Sequence, residues 1–216
     1  MNIKINKDQF NHLMTYSIEE YVFGSKLYGT DNENSDTDIL VIYKCPIAWK
    51  KYINTLPNFH MFQYDDCENN KQFIFTTEDQ FVKNQQSGDA IVNSELILFS
   101  PNNSDEYKLE RCRTYKVIKA FLGFAKRDAN NKRYFHANRC LYIASQLLDR
   151  KVPCLEDVKY MHSLNNKPIM SLINNFRDRA NQLYDAGMLP LYYVPKVEDE
   201  LLQILLDSNN IKEFKY

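Results

Sequence analysis

The apolar positions of this chain change period near its middle. Up to about residue 100 they come largely in short runs of strand length, and beyond it they recur every three to four residues. Phe10, Leu13, Met14 and Ser17 fall at helical spacing and predict a first helix from about Asp8 to Glu20. Tyr21-Val22-Phe23 is a brief β-rich run stopped by Gly24, and Ser25 to Tyr28 can start a helix that Gly29 ends. After the polar turn Asp31-Asn32-Glu33-Asn34, the segment Thr37-Asp38-Ile39-Leu40-Val41-Ile42-Tyr43 reads as a strand. Its apolar residues are continuous rather than alternating, so both faces should be covered. Ala48 to Leu56 predicts a helix ended near Pro57. Phe59 to Tyr64 and Gln72 to Thr77 predict two more strands, with Asp65 to Lys71 as the loop between them. Thr77 with Gln80 three residues on resembles a capping box for a helix to about Gln86, and Glu95 to Phe99 suits a helix packed on the sheet.

From Asp105 the vocabulary is helical: Tyr115 to Arg127 and Lys132 to Leu148 carry clear 3.6-period stripes, followed by Pro168 to Ala186 and Val197 to Asp207. The expected class is therefore α+β. A small mixed sheet flanked by helices occupies residues 1–103 and a helical half residues 104–216, with the boundary at Asn102 to Ser104.

Composition removes several classes. At 44% hydrophobic and 25% charged residues the chain is ordinary globular material. A net charge of −1 argues against a surface wholly devoted to nucleic acid, though not against a local basic patch. The 5 cysteines (Cys45, Cys67, Cys112, Cys140, Cys154) are scattered without a C-x-x-C pair, which disfavours a structural zinc site or a disulfide framework and fits a cytoplasmic protein. The N-terminus has no apolar signal-like core and no stretch is long enough to span a membrane, so no membrane partner is expected.

Two features carry chemistry. A strand ending in Gly24-Ser25 and turning into a helix points backbone N–H groups and the Ser25 hydroxyl at one spot, a natural seat for phosphate. Gly24 lets a ligand approach the backbone. The same pair is also an ordinary turn. Asp36 and Asp38, two apart at the head of a strand, share a face and repel one another, and a divalent cation relieves that repulsion. An Asp-rich turn before a strand looks identical. The spacing of the two features matters more than either, because it brings phosphate amides and a carboxylate pair to the ends of neighbouring strands. Nucleotidyl transfer requires that combination.

The pattern Gly24-Ser25-x-x-Tyr28-Gly29-Thr30…Ser35-Asp36-x-Asp38 resembles the signature of the DNA polymerase β-like nucleotidyltransferase superfamily. It is most similar to its branch of predicted nucleotidyltransferases associated with RNA repair. Glu95-Leu96-Ile97-Leu98-Phe99 and Lys132-x-x-x-His136-x-x-Arg139 are similar to two helices of that branch. The resemblance implies that Asp36 and Asp38 are the catalytic carboxylates and hold Mg²⁺ or Mn²⁺. It also implies that Gly24, Ser25, Lys26, Tyr28, Gly29 and Ser35 frame a nucleoside triphosphate. The acceptor would be an RNA end, a protein side chain or a small molecule. A third carboxylate is implied on a neighbouring strand, where this chain has Gln72, with Asp65, Asp66 and Glu68 nearby. A nucleotide- or RNA-binding or interaction protein on the same fold, without turnover, is the alternative that this departure raises.

On the predicted Lys132 to Leu148 helix, Lys132, His136 and Arg139 fall at i, i+4 and i+7 and would share a face able to hold phosphate. A solvated basic stripe has the same spacing. His12, His60 and His162 lack spaced partners and read as structural or surface residues.

Overall fold

The structure, a computed structural model, describes residues 3–33, 35–47, 49, 61–87 and 91–193. It is α+β: a mixed five-stranded sheet with short helices, then a mostly helical half. Strand β1 (Ile3–Lys4) leads into helix α1 (Lys7–Met14), followed by β2 (Ser17–Phe23), α2 (Ser25–Tyr28), β3 (Thr37–Tyr43), β4 (Met61–Asp66) and β5 (Lys71–Thr77). The helices α3 (Glu78–Ser87), α4 (Ile91–Phe99), α5 (Asp105–Cys112), α6 (Tyr115–Asn130), α7 (Tyr134–Leu148), α8 (Leu155–Ser163) and α9 (Met170–Asp185) follow. Strand order is β1-β4-β5-β3-β2, with β2 an antiparallel edge and β3 parallel to β5. Among the described residues no helix is long and apolar enough to cross a membrane.

The first helix is shorter than its spacing predicts. Asn6 caps it reciprocally with Gln9, but the chain leaves the helix after Met14, and Ser17 to Glu20 join β2. Pairing of β2 along β3 outweighs a periodicity whose last member, Ser17, is barely apolar. Asp65 and Asp66, expected in a loop, lie at the end of β4, and only residues 67–70 form the turn. Thr77 caps α3, its Oγ1 accepting from Gln80 N at 3.2 Å. The predicted helices at residues 48–56 and 197–207, and the start of the strand at Phe59 and His60, lie outside the described residues.

Two cores result. On one sheet face Ile39, Val41, Tyr43, Phe73 and Phe75 pack with Leu13 of α1 and with Phe10, whose ring lies edge-on to Phe75 at 5.8 Å. The alternate residues of β3, Leu40 and Ile42, are also buried, so the central strand is covered on both sides as its unbroken apolar run predicts. The larger core lies among α4 and α6 to α9, and Tyr28 of α2 belongs to it.

Among the described residues four helices end with a residue in the left-handed region: Gly29 after α2, Lys132 after α6, Arg150 after α7 and Gly187 after α9. After α6, Arg133 N donates to Asp128 O at 2.8 Å and Lys132 N to Ala129 O at 3.3 Å, the paired bonds of a Schellman cap. This cap corrects the predicted helix start, since α7 begins at Tyr134 and Lys132 sits in the turn before it. The sequence pattern concealed the break because the left-handed position carries Lys rather than Gly.

Phe75 is fully buried at the centre of the sheet core. Phe75→Ala should therefore lower the unfolding free energy by about 3–5 kcal/mol, read from urea denaturation.

Candidate nucleotide and metal site

The end of β2 and the start of β3 are hydrogen-bonded neighbours, with Phe23 opposite Asp38. Gly24 follows with φ 70° and ψ −145°, a conformation that L side chains rarely adopt. A Cβ at Gly24 would collide with the Asp38 carboxylate, so the glycine is required twice, by its backbone and by its neighbour. The chain turns directly into α2 at Ser25, with no side chain capping that helix. Gly29 ends α2 in the left-handed region.

Asp38 is half-buried, and Asp36 lies exposed one residue before β3. Burial, and then the charge of Asp36, push the Asp38 pKa up to about 6. A carboxylate pair held back from joint ionisation in this way suits a divalent cation, which removes both penalties. Two carboxylates with substrate phosphate make an acceptable Mg²⁺ site. Among the described residues no group of three or more potential ligands is assembled.

Gln72 stands opposite Asp38 on β5, and Asp65 stands opposite Gln72 on β4, so the three form a row across the sheet on one face. The third carboxylate is thus one strand further from Asp38 than a shared metal would need. It is also engaged elsewhere: Asp65 accepts from Gln63 Nε2 at 2.7 Å, Lys4 Nζ at 2.8 Å and Gln72 Nε2 at 3.2 Å. Those bonds, Gln63 first, hold its carboxyl below the usual range. Asp66 accepts from Asn69 Nδ2 at 2.8 Å, and Glu68 is exposed in the turn. None of the three substitutes for an acid at Gln72.

The remaining signature residues serve the frame. Ser35 Oγ accepts from Asn32 N at 2.9 Å and its carbonyl from Asn70 Nδ2 at 3.2 Å, fixing the loop before Asp36 to the β4–β5 turn. Lys26 is exposed. Tyr28 is wholly buried, its ring 5.6 Å from that of Phe99, so it supports α2 from beneath.

Of the predicted basic face of Lys132, His136 and Arg139, the last two lie on α7 and both line a cleft beside Gly24. Lys132 lies in the turn outside α7 and is exposed. Burial, then the charge of Arg139, lowers the His136 pKa to about 4, so its imidazole is neutral near pH 7. Arg139 is 8% exposed and its charge is matched by Glu95, 4% exposed, at 3.5 Å. Its guanidinium lies 4.1 Å from the Tyr28 ring centre. Burial opposes the charge on Arg139, but Tyr28 and Glu95 hold its pKa raised. The pair therefore ties α7 to α4 and to the signature helix α2.

His162 of α8, read from sequence as partnerless, packs against His136 at 5.4 Å between ring centres and against Phe135 at 5.1 Å. Its pKa is likewise lowered to about 4, by burial and then Arg139.

A cleft of about 320 Å³ opens beside Gly24, between Phe23 and α4 on one side and α6 and α7 on the other. Its cationic lining includes two residues that the periodic reading missed, Arg127 and Arg133. Both hold Asp128, which is 4% exposed: Arg127 Nε at 3.0 Å and Arg133 Nη2 at 3.2 Å. They sit on either side of the Schellman cap, so no single helical stripe contains both. An acid next to one arginine and five residues before another was the only sequence trace.

No protein-family model matches this chain, and no curated protein matches it significantly.

Removing one member of the buried pair strands the other's charge. Arg139→Ala should cost about 3–5 kcal/mol in urea denaturation, and Arg139→Met with Glu95→Gln should cost less than the sum of the single changes. The two histidines give a pH signature. The unfolded chain takes up their protons near pH 6.5, whereas the folded chain resists until about pH 4. The unfolded state therefore binds more protons in that window, and stability falls as pH drops through it. Thermal melts from pH 7 to 4.5 should show this loss, and His136→Gln with His162→Gln should flatten it.

Proposed function

We propose that this chain is a Mg²⁺- or Mn²⁺-dependent nucleotidyltransferase of the DNA polymerase β-like type, moving a nucleoside monophosphate from a nucleoside triphosphate to an acceptor hydroxyl. The observation that carries this reading is the contact of Gly24, held in a glycine-only conformation, with the carboxylate of Asp38, itself coupled to Asp36. A plain Asp-rich turn has no need of a left-handed glycine pressed against its acid.

In this reading the Ser25 hydroxyl and the backbone of Gly24 and Ser25 hold the terminal phosphates, and Asp36 and Asp38 hold the divalent cation. The cation supplies neutralisation of phosphate charge. The acceptor hydroxyl gives up its proton to solvent as its oxygen bonds to the α-phosphorus, while the bond to the departing pyrophosphate breaks. An RNA end, a protein side chain and a small molecule all offer the necessary hydroxyl, and the resemblance to the RNA-repair branch favours testing RNA first.

A second reading is favoured by Gln72. A neutral amide beside Asp38 binds no proton from an attacking hydroxyl and adds no charge to a metal site, and it donates to Asp65. The same site would then bind nucleotide or RNA without turnover.

Calorimetry with each nucleoside triphosphate and Mg²⁺, followed by incubation with α-labelled nucleotides and RNA or protein acceptors, separates the two. Metal-dependent binding lost in Asp36→Asn with Asp38→Asn, together with label transfer, is the expected result. Binding without transfer to any acceptor leaves the second reading standing, and no binding by the wild-type chain removes both.

A further inference from the structure

We infer that Arg127 and Arg133 form the polyphosphate-binding wall of the Gly24 cleft and take the phosphate chain of a nucleoside triphosphate. This rests on the nucleotide reading above and adds the residues that would grip the phosphates.

The inference starts from local structure. The Schellman cap folds α7 back on α6, so that Arg127 in the last turn of α6 and Arg133 at the start of α7 meet over one carboxylate. Asp128 is nearly fully buried and accepts from both: Arg127 reaches it through Nε at 3.0 Å and Nη2 at 3.3 Å, Arg133 through Nη2 at 3.2 Å. Satisfying a buried carboxylate takes one bidentate arginine. The second guanidinium exceeds that need. Both side chains remain about half-exposed, at 51% and 50%, and a guanidinium carries more N–H donors than these bonds use. Arg127 is also held over the Phe124 ring, 4.2 Å from its centre.

The surrounding charges leave a surplus. Within the cleft lining Glu95 cancels Arg139, His136 is neutral near pH 7, and Asp128 cancels one of the two remaining guanidiniums. The cleft wall therefore carries one net positive charge opposite Gly24. No ion pair links either arginine to Asp36 or Asp38 among the described residues, so the site's acids do not consume it. Pre-oriented guanidiniums whose partner is fixed and buried are suited to bidentate recognition of phosphate oxygens. The cleft volume, about 320 Å³, is of small-ligand size. A polynucleotide backbone would instead need an extended basic track, and the chain's net charge is −1.

The test uses the full chain, inorganic tripolyphosphate and calorimetry in EDTA, so that the reading involves no metal. Arg127→Gln with Arg133→Gln should weaken tripolyphosphate binding at least about tenfold, the worth of one lost charge-assisted hydrogen bond. Lys126→Gln, an exposed neighbour on α6 that loses the same single charge as Arg127→Gln, should alter it less than about twofold. If the double variant does not fold, Arg127→Gln alone leaves Asp128 paired with Arg133 and should still weaken binding measurably. Parallel titration with a short single-stranded RNA distinguishes the phosphate source. Loss of RNA binding with tripolyphosphate unchanged overturns the inference, as does a wild-type chain that ignores tripolyphosphate or arginine variants that bind it normally. Asp36→Asn with Asp38→Asn should keep tripolyphosphate binding in EDTA. If label transfer fails while the arginine dependence holds, the transferase reading alone is lost.

Discussion

The ion pair between Glu95 and Arg139 is the constraint on which the rest of the arrangement depends. Both groups lie in the larger core, where neither charge would be tolerated alone. Arg139 also presses its guanidinium onto Tyr28, so one buried cation fixes α2 below, α4 beside and α7 on which it resides. Whatever binds at the Gly24 turn binds on a floor set by that contact. The pair costs desolvation energy and fixes position: α7 is held to α4, which lies against β2.

From that floor the site divides into two electrostatic zones. Towards the sheet lie Asp36 and Asp38, with Asp38 resisting ionisation because it is half-buried and has a like neighbour. Towards the helices lie Arg127 and Arg133, organised by Asp128. Gly24 separates the two without filling the gap. In the proposed reading the zones complement one another for a ligand that brings both a cation and an anionic chain. The row Asp38, Gln72 and Asp65 shows where the sheet departs from a three-acid design: the amide occupies the middle position and ties itself to the outer acid.

Local chemistry made part of this legible in the residues. The unbroken run in β3, the short helix between Gly24 and Gly29 and the proximity of Asp38 to the Gly-Ser turn all follow from neighbours in sequence. What escaped depends on long-range partners. Ser17 to Glu20 join a strand because β3 is there to receive them. Spacing reads Lys132, His136 and Arg139 as one basic row because it is blind to the turn at Lys132, to burial and to the Glu95 carboxylate 44 positions before Arg139. Arg127 and Arg133 were invisible to periodicity, since a left-handed lysine between two helices leaves no glycine to announce the turn.

The edge strand β2 has a bearing on how the molecule behaves in a crowded solution. Among the described residues its outer side pairs with no strand, and Ile18 and Val22 are substantially exposed, which is the usual invitation to intermolecular strand addition. Glu19 and Glu20 are exposed between those two apolar residues. A second copy docking along this edge would bring four carboxylates together over a few ångströms, and the bulge between Ser17 and Glu19 breaks the register it would need. The charges and the bulge together disfavour the strand that carries Gly24 as a template for fibrils.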